Sequence, residues 1–321
     1  MAQNGRMSLI VAARREEAEG IISLDLARPD YGALPPFEAG AHVELELSSG
    51  LVRHYSLSND PTESRRYRLA VLREPKSRGG SSAVHDDLQM GAEVLASAPR
   101  NNFGLVPAAR RSVLIAAGIG ITPVLSMAYA LARAGAEFEV HYCTRNRARA
   151  AFLAELASAP FADRVHHWHG DSVEVEARFE ADGALGRPES GAHVYVCGPG
   201  GFMDHVLSRA EALGWPAAQV HVERFSATVT TAGDAFEVIA RDSGVTVRVG
   251  SDQTIAEALI AAGIEVPMSC EQGVCGTCVT TVVDGTPDHR DMYLSEDEQA
   301  ANDQMAVCCS RALSATLTLA I

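Results

Sequence analysis

The 321-residue sequence is short of cations: 27 Lys and Arg stand against 41 Asp and Glu, a formal net charge of −14. That balance excludes a nucleic-acid partner, which needs a basic face to displace counterions. The shortage is uneven, because residues 234–321 hold 14 Asp and Glu, 4 Arg and no Lys, so −10 of the −14 lies there. Such a face is solvated, and it also suits a partner with a basic patch. Long apolar runs are missing as well. No stretch reaches the ~18 uninterrupted apolar residues of a membrane span. The opening Met1-Ala2-Gln3-Asn4-Gly5-Arg6-Met7 lacks the apolar core of a signal peptide. The expectation is a cytoplasmic protein that meets no membrane. Cysteine is limited to seven residues, and in a reducing compartment these are read as ligands before disulfides.

Three of the seven crowd into Cys270-Glu271-Gln272-Gly273-Val274-Cys275-Gly276-Thr277-Cys278. The spacing is C-x4-C-x2-C, followed after twenty-nine residues by Cys308, with Cys309 beside it. Gly273 and Gly276 let the backbone curl and turn N–H groups towards the sulfurs. This is the spacing of a plant-type [2Fe–2S] site, with Cys270, Cys275 and Cys278 as ligands and the fourth open between Cys308 and Cys309. Zinc sites usually show paired C-x2-C knuckles, and only one such pair is present. Cys143 and Cys197 each end an expected strand and stand alone. A cluster of this type moves single electrons, so their source must lie elsewhere.

The length suits two or three domains. Residues 1–105 alternate at period two in 22–26, 42–47 and 67–72, the short strands of an antiparallel β-barrel. Within it Arg53-His54-Tyr55-Ser56-Leu57-Ser58 brings a cation, a ring and a hydroxyl together, groups that suit a flavin and its phosphate. In Arg78-Gly79-Gly80-Ser81-Ser82-Ala83-Val84, glycines open a short helix whose free N–H groups make an anion site. Taken singly, each could be a plain edge strand or a plain turn.

Residues 106–226 change texture to an α/β parallel sheet, read as a nucleotide domain. The apolar run 112–117 is what a buried parallel strand requires. It leads through Gly118-Ile119-Gly120-Ile121-Thr122-Pro123 into a helix over 124–131. A glycine-rich turn there brings backbone close to a diphosphate, although it is not the G-x-G-x-x-G fingerprint. Strand 138–143 ends at Thr144-Arg145, and strand 193–197 ends at Gly198-Pro199-Gly200-Gly201 before a helix over 202–213. All three loops lie at carboxyl ends of strands, where parallel sheets bind ligands. Residues 221–225 read as a last strand. His166-His167-Trp168-His169 would put His167 and His169 on one face, but no third ligand is placed and they are read as structural or solvated. A linker spans 227–235. Residues 236–321 form a C-terminal β-grasp module: a hairpin (236–241, 245–249), a helix from the capping box Thr254-Ile255-Ala256-Glu257 to Gly263, the cysteine loop and a closing strand at 315–321.

Together these motifs resemble the phthalate dioxygenase reductase family, which includes vanillate demethylase and carnitine monooxygenase reductases. The resemblance covers nearly the whole chain. It rests on Arg53-His54-Tyr55-Ser56-Leu57, Arg78-Gly79-Gly80-Ser81, Gly118-Ile119-Gly120-Ile121-Thr122-Pro123, Cys197-Gly198-Pro199, Asp288-His289-Arg290-Asp291 and Cys308-Cys309-Ser310-Arg311-Ala312. It implies FMN rather than FAD, held by Arg53, His54, Tyr55, Ser56, Gly79, Gly80 and Ser81, with the backbone of Ala70, Val71 and Leu72 along the ring edge. It implies NADH at Gly118, Ile119, Gly120, Thr122, Pro123, Thr144, Arg145, Cys197, Gly198 and Pro199. Thr122 and Cys197 would border the nicotinamide and Phe225 would approach the flavin, which makes these three the catalytic candidates. The Ser-Arg-Ala that ends the motif selects Cys308 as fourth ligand.

The family's activity would be electron transfer from NADH through FMN and the plant-type ferredoxin cluster to a Rieske-type oxygenase, by a monomer. Three readings compete with it: a reductase for another acceptor such as a cytochrome P450, a flavin reductase or diaphorase with a structural cluster, and a non-enzymatic carrier. Arg145, Arg147 and Arg149 follow the second strand of the nucleotide domain, where a 2′-phosphate would sit; the resemblance favours NADH over NADPH.

Overall fold

The computed structural model describes residues 6–48, 50–75, 79–171, 178–225 and 230–321. They fall into two compact units, Met1–Arg224 and Phe225–Ile321.

The period-two runs at the start of the chain pair into one antiparallel sheet. Its strands are β1 (Met7–Ala18), β2 (Ile21–Ala27), β3 (His42–Glu46), β4 (Val52–Ser56), β5 (Tyr67–Leu72) and β6 (Glu93–Ala96), in the order β4-β3-β6-β1-β2-β5. Alternation sends Leu9, Val11, Leu24, Leu26, Val43, Leu45 and Leu69 into a single core. The two ends of that order, β4 and β5, converge where the Ser58 N–H and hydroxyl both donate to the Arg68 carbonyl, at 2.8 and 3.0 Å. Among the described residues each of these strands lies at an end of the sheet order, with one strand neighbour. Helix α1 (Gly80–Asp87) follows β5.

The second half of this unit runs β7 (Arg111–Ala117), α2 (Ile121–Arg133), β8 (Glu137–Thr144), α3 (Leu153–Ser158), β9 (Val165–His169), α4 (Ala181–Leu185), β10 (Ala192–Cys197), α5 (Gly200–Ala212) and β11 (Val220–Glu223). The strands are parallel in the order β11-β10-β7-β8-β9. Both faces of β7 are apolar because both are covered. Leu114 and Ala116 pack with Val124, Leu125 and Ala128 of α2, and Val113 and Ile115 pack with Met203, Val206 and Ala210 of α5. The order reverses between β7 and β10, the topological switch point at which doubly wound sheets open a ligand crevice.

Barrel and sheet are joined within the unit by Arg68. Buried, it donates two bonds to Glu155 (2.7 and 2.8 Å), one to the Ser58 carbonyl (2.9 Å), and lies over the Phe152 ring. The last strand is shorter than the 221–225 run suggests. It stops at Glu223, after which Arg224 turns to Asp204 (2.7 Å) and Phe225 opens the second unit.

That unit contains β12 (Phe236–Ala240), β13 (Val245–Val249), α6 (Ile255–Ala261), β14 (Val279–Asp284), β15 (Pro287–Asp288), α7 (Glu296–Ala301), β16 (Gln304–Ala306), β17 (Arg311–Ala312) and β18 (Thr316–Leu319). Its main sheet runs β13-β12-β18-β14-β16, with β12 and β18 parallel at the centre. The capping box forms: Thr254 Oγ1 accepts the Glu257 N–H at 3.1 Å and Glu257 Oε2 accepts the Thr254 N–H at 2.9 Å. Of the linker, 227–229 lie outside the described residues, as does Ser226 before it. Residues 230–234 hold no helix or strand, yet they are fastened. Arg290 donates to the Thr230 and Ala232 carbonyls, and Arg311 donates to that of Asp234 at 2.9 Å.

Candidate functional site

Three arrangements assemble from these elements. In the first, β4 and α1 form an anion cradle. Gly79 caps α1 in the left-handed region (φ 87°) with no side chain closing the helix start, so its first N–H groups are left for a ligand. A Cβ on Gly80 would meet Arg53 Nε at 2.6 Å, so only glycine lets the guanidinium lie across the helix start. The Ser81 hydroxyl accepts the Glu74 N–H (3.1 Å) and keeps its own proton to donate. Arg78 lies outside the described residues. Tyr55 and His54 share the strand. Burial, opposed weakly by the Arg53 charge, pushes the Tyr55 phenol up to about 12 and keeps it neutral. His54 Nε2 lies 3.9 Å from Glu44 Oε1. Across the opening, Ala70, Val71 and Leu72 lie on β5, with the Val71 carbonyl 2.9 Å from His85 Nε2. A single phosphate and one planar ring edge fit a cation, an uncapped helix start and the two outer strands β4 and β5.

The second arrangement is the switch point. Gly118 takes φ 55° and begins a tight turn ending at Gly120. A Cβ on Gly120 would overlap the Cys197 carbonyl, and one on Gly198 would meet the Ala117 Cβ at 2.8 Å. The two loops therefore touch backbone to backbone. Thr122 is buried and donates to the Ile119 carbonyl (3.0 Å), which locks the turn. Pro123 sits in the first turn of α2, where its missing N–H costs nothing. Pro199 precedes α5 as its cap residue. At the far side Thr144 Oγ1 bonds His169 Nδ1 (2.7 Å), and Arg145 is exposed.

The sequence reading overlooked one residue here. Glu223 pairs in register with Cys197 across β10 and β11, and the Ser56 hydroxyl donates to its Oε2 at 3.1 Å. Burial raises its carboxyl to about 8, so it is largely protonated at neutral pH. Cys197 is fully buried beside it and is pushed well above the ordinary thiol value, first by burial and then by Glu223. An acid at the end of an expected strand was the available signal. Phe225, 39 % exposed, begins the second unit.

The third arrangement is the cysteine loop. The four thiols form no disulfide and fall into two neighbouring pairs, Cys270 beside Cys275 and Cys278 beside Cys308. Cys270 and Cys278 are pushed far up by the neighbouring thiol, then by burial. Cys308 is pushed up to about 12: its bond with Cys278 lowers it, but Cys309 and burial outweigh that. Four thiols, three on the curled loop and one in the turn after β16, match the ligand set of an iron–sulfur cluster, which binds them as thiolates. The curl is enforced locally. Gly273 (φ 70°) and Gly276 (φ 74°) both take the left-handed region, and a Cβ on Gly276 would fall inside the Tyr293 ring.

The histidine tract behaves otherwise. Glu139, His141 and His166 bring their ligand atoms within 4.8 Å of one another. However, Trp168 donates to His141 Nδ1 (3.3 Å), and burial holds this imidazole near 4 and neutral. Its proton therefore sits on Nε2, the atom that faces Glu139 Oε2 at 3.5 Å, and that nitrogen has no lone pair to offer.

Comparison with known proteins agrees with this geometry. Residues 238–313 match the family described as 2Fe-2S iron-sulfur cluster binding domain. Residues 93–220 match the N-terminal domain of dimethylamine monooxygenase subunit DmmA-like proteins. The chain is 49 % identical to a vanillate O-demethylase oxidoreductase from a Pseudomonas species, over 98 % of this chain and 99 % of that one. A solved phthalate dioxygenase reductase, described as modular for electron transfer from pyridine nucleotides to [2Fe-2S], superposes with a TM-score of 0.78. It is 39 % identical and is matched over 99 % of this chain and 98 % of its own. An intact type IV self-sufficient cytochrome P450 monooxygenase gives a TM-score of 0.85 at 36 % identity, with this chain spanning 42 % of its length. Among the described residues no helix is long and apolar enough to cross a membrane. With a flavin-type cradle, a nucleotide crevice and a ferredoxin loop in that order, and this likeness end to end, the chain belongs to the phthalate dioxygenase reductase family.

Proposed function

We propose that this protein is the NADH-dependent reductase component of a Rieske-type oxygenase system, with FMN in the barrel and a [2Fe–2S] cluster on the cysteine loop. When bound, the flavin takes the two electrons of a hydride and gives them up singly, which matches a cluster that accepts one. The chain's part is binding and orientation. Arg53 and the start of α1 take the phosphate, and the facing edges of β4 and β5 fix the ring. The turns 118–120 and 197–199 take the pyridine nucleotide. Thr122 holds the first turn in shape, while Cys197 and Glu223 keep water from the floor of the crevice. Glu223 keeps its proton on the carboxyl group whose Oε2 receives the Ser56 hydroxyl. Cys270, Cys275, Cys278 and Cys308 would hold the two irons. Phe225 would cover the flavin, and the protein would act as a cytoplasmic monomer.

The observation that supports this most is the end-to-end likeness to a vanillate O-demethylase oxidoreductase. The test mixes NADH, the holoprotein and the oxidised oxygenase component of a vanillate demethylase without oxygen, and follows the Rieske absorbance. Bleaching at a rate dependent on the reductase is expected. Full cytochrome c reduction with an unbleached Rieske centre would rule out this partner class. The high score against the P450 monooxygenase favours one other acceptor, and a P450 haem offered in place of the oxygenase separates the two.

A further inference from the structure

The motif Asp288-His289-Arg290-Asp291 contributes to the family likeness but holds no cofactor in the reading above, and its last residue lies at the heart of the second unit. The Asp291 side chain is fully buried. Its Oδ2 accepts the N–H groups of Tyr293 (3.2 Å) and Leu294 (2.8 Å), and its Oδ1 accepts the Ser310 hydroxyl at 3.3 Å. These bonds join both parts of the ligand set. Ser310 stands two residues past Cys308. The strap that begins at Asp291 crosses the other three ligands: the Met292 N–H donates to the Gly273 carbonyl (2.9 Å), and the Tyr293 ring covers Gly276. A Cβ on Gly273 would meet the Asp291 Cα at 3.0 Å, so the two backbones are in contact.

Among the described residues no guanidinium answers this carboxylate. Arg290 turns to Asp288 (2.6 and 2.8 Å) and to the Thr230 and Ala232 carbonyls. Arg311 gives its hydrogen bonds to the carbonyls of Gln253, Asp234 and Gly250. What faces Asp291 is His289. Its side chain is 8 % exposed and its Nδ1 lies 3.7 Å from Asp291 Oδ1, beyond a hydrogen bond. Neither ring nitrogen has a hydrogen-bond partner among the described residues. A buried polar group left in this way calls for a cause. Reduction adds negative charge to a cluster, and a buried carboxylate nearby opposes it through a medium that screens poorly.

We propose that Asp291 is a positioning residue that clamps the two parts of the ligand set and holds the reduction potential of the cluster down, with the His289 imidazole as the dipole that limits its effect. Residues behind the first ligands commonly tune a metal centre in this manner. The site is distinct from the sulfurs, and it stands whichever acceptor the protein serves.

An anaerobic redox titration of the full-length holoprotein, followed by the EPR signal of the reduced cluster, tests it. Asp291→Asn removes the charge, while its amide can still accept the two N–H groups and meet Ser310. The potential is expected to rise. His289→Phe fills the same space without a dipole, and the potential is expected to fall. Opposite signs are something a merely structural clamp would not give. Asp291→Ala, which also cuts the bonds, is expected to lose iron to a chelator roughly tenfold faster.

Shifts of one sign in the first two variants, or no shift in either, would overturn the proposal. If Asp291→Asn fails to retain a cluster, the His289→Phe value decides alone: a fall supports the proposal, and an unchanged or raised potential overturns it. If neither variant retains a cluster, the role is structural only and the tuning claim is lost.

Discussion

The cysteine loop and the switch-point crevice solve the same problem, holding a cofactor, by opposite means. The loop supplies ligands from side chains, three sulfurs along a short stretch and a fourth in the turn after β16, and its glycines only make room. The crevice supplies ligands from the backbone, so its glycines are the site and its side chains make room. Gly120 and Gly198 let two loops touch, whereas Thr122 spends its hydroxyl on its own turn. A site made of sulfurs is destroyed by one substitution at a named position. A site made of main chain is best attacked by adding atoms.

The largest effect should therefore come from Cys275→Ser. Iron and the reduced-state EPR signal are expected to disappear and cytochrome c reduction to stop, while NADH still reduces ferricyanide through the flavin; loss of both activities would collapse the distinction between the sites. Next is the joint inside the first unit. Arg68→Ala strips a buried ion pair of its cation and should cost about 3 kcal/mol in urea unfolding, with flavin retention falling alongside. Gly120→Ala should cost about 1–3 kcal/mol by overpacking against the Cys197 carbonyl and raise KM for NADH, leaving cluster content unchanged.

Glu223 gives a slope in place of a step. Its carboxyl is raised from 4.5 to about 8 in the folded protein. Its contribution to stability is therefore fully present below pH 4.5, declines as pH climbs, and is gone once pH passes about 8. Unfolding of the flavin-free protein should show a slope approaching 1.4 kcal/mol per pH unit at most, flattened in Glu223→Gln. An unchanged slope would mean the group ionises freely. The smallest effect belongs to the second unit, where Thr254→Ala removes one half of a capping box and should cost about 1 kcal/mol.

The ease with which each region could be read follows the same contrast. The strand 67–72 and the capping box at Thr254 are fixed by neighbours in sequence, and both form as their patterns indicate. The box at Ser295-Glu296-Asp297-Glu298 carries an equal signal and forms α7. Glu223 was not legible, because a strand-end acid is ordinary until β11 is laid beside β10 and Ser56 is folded over it. Asp291 escaped for a similar reason. Two of its partners are local, but Ser310 lies nineteen residues away, and only the fold brings it there. Nor does a stretch of small polar residues disclose that Arg290 and Arg311 bind its carbonyls, which is why 230–234 read as a tether and is instead a fastened margin.

The contact between Gly120 and the Cys197 carbonyl has an evolutionary consequence. Neither loop can acquire a side chain there without displacing the other, so simple point mutation has almost no viable route through this part of the crevice. A Cβ on Gly170, at the opposite side of the sheet, would meet the Arg145 carbonyl at an unstrained 3.4 Å. Substitutions that reshape the coenzyme site are therefore easier to accommodate at the carboxyl ends of β8 and β9 than between β7 and β10.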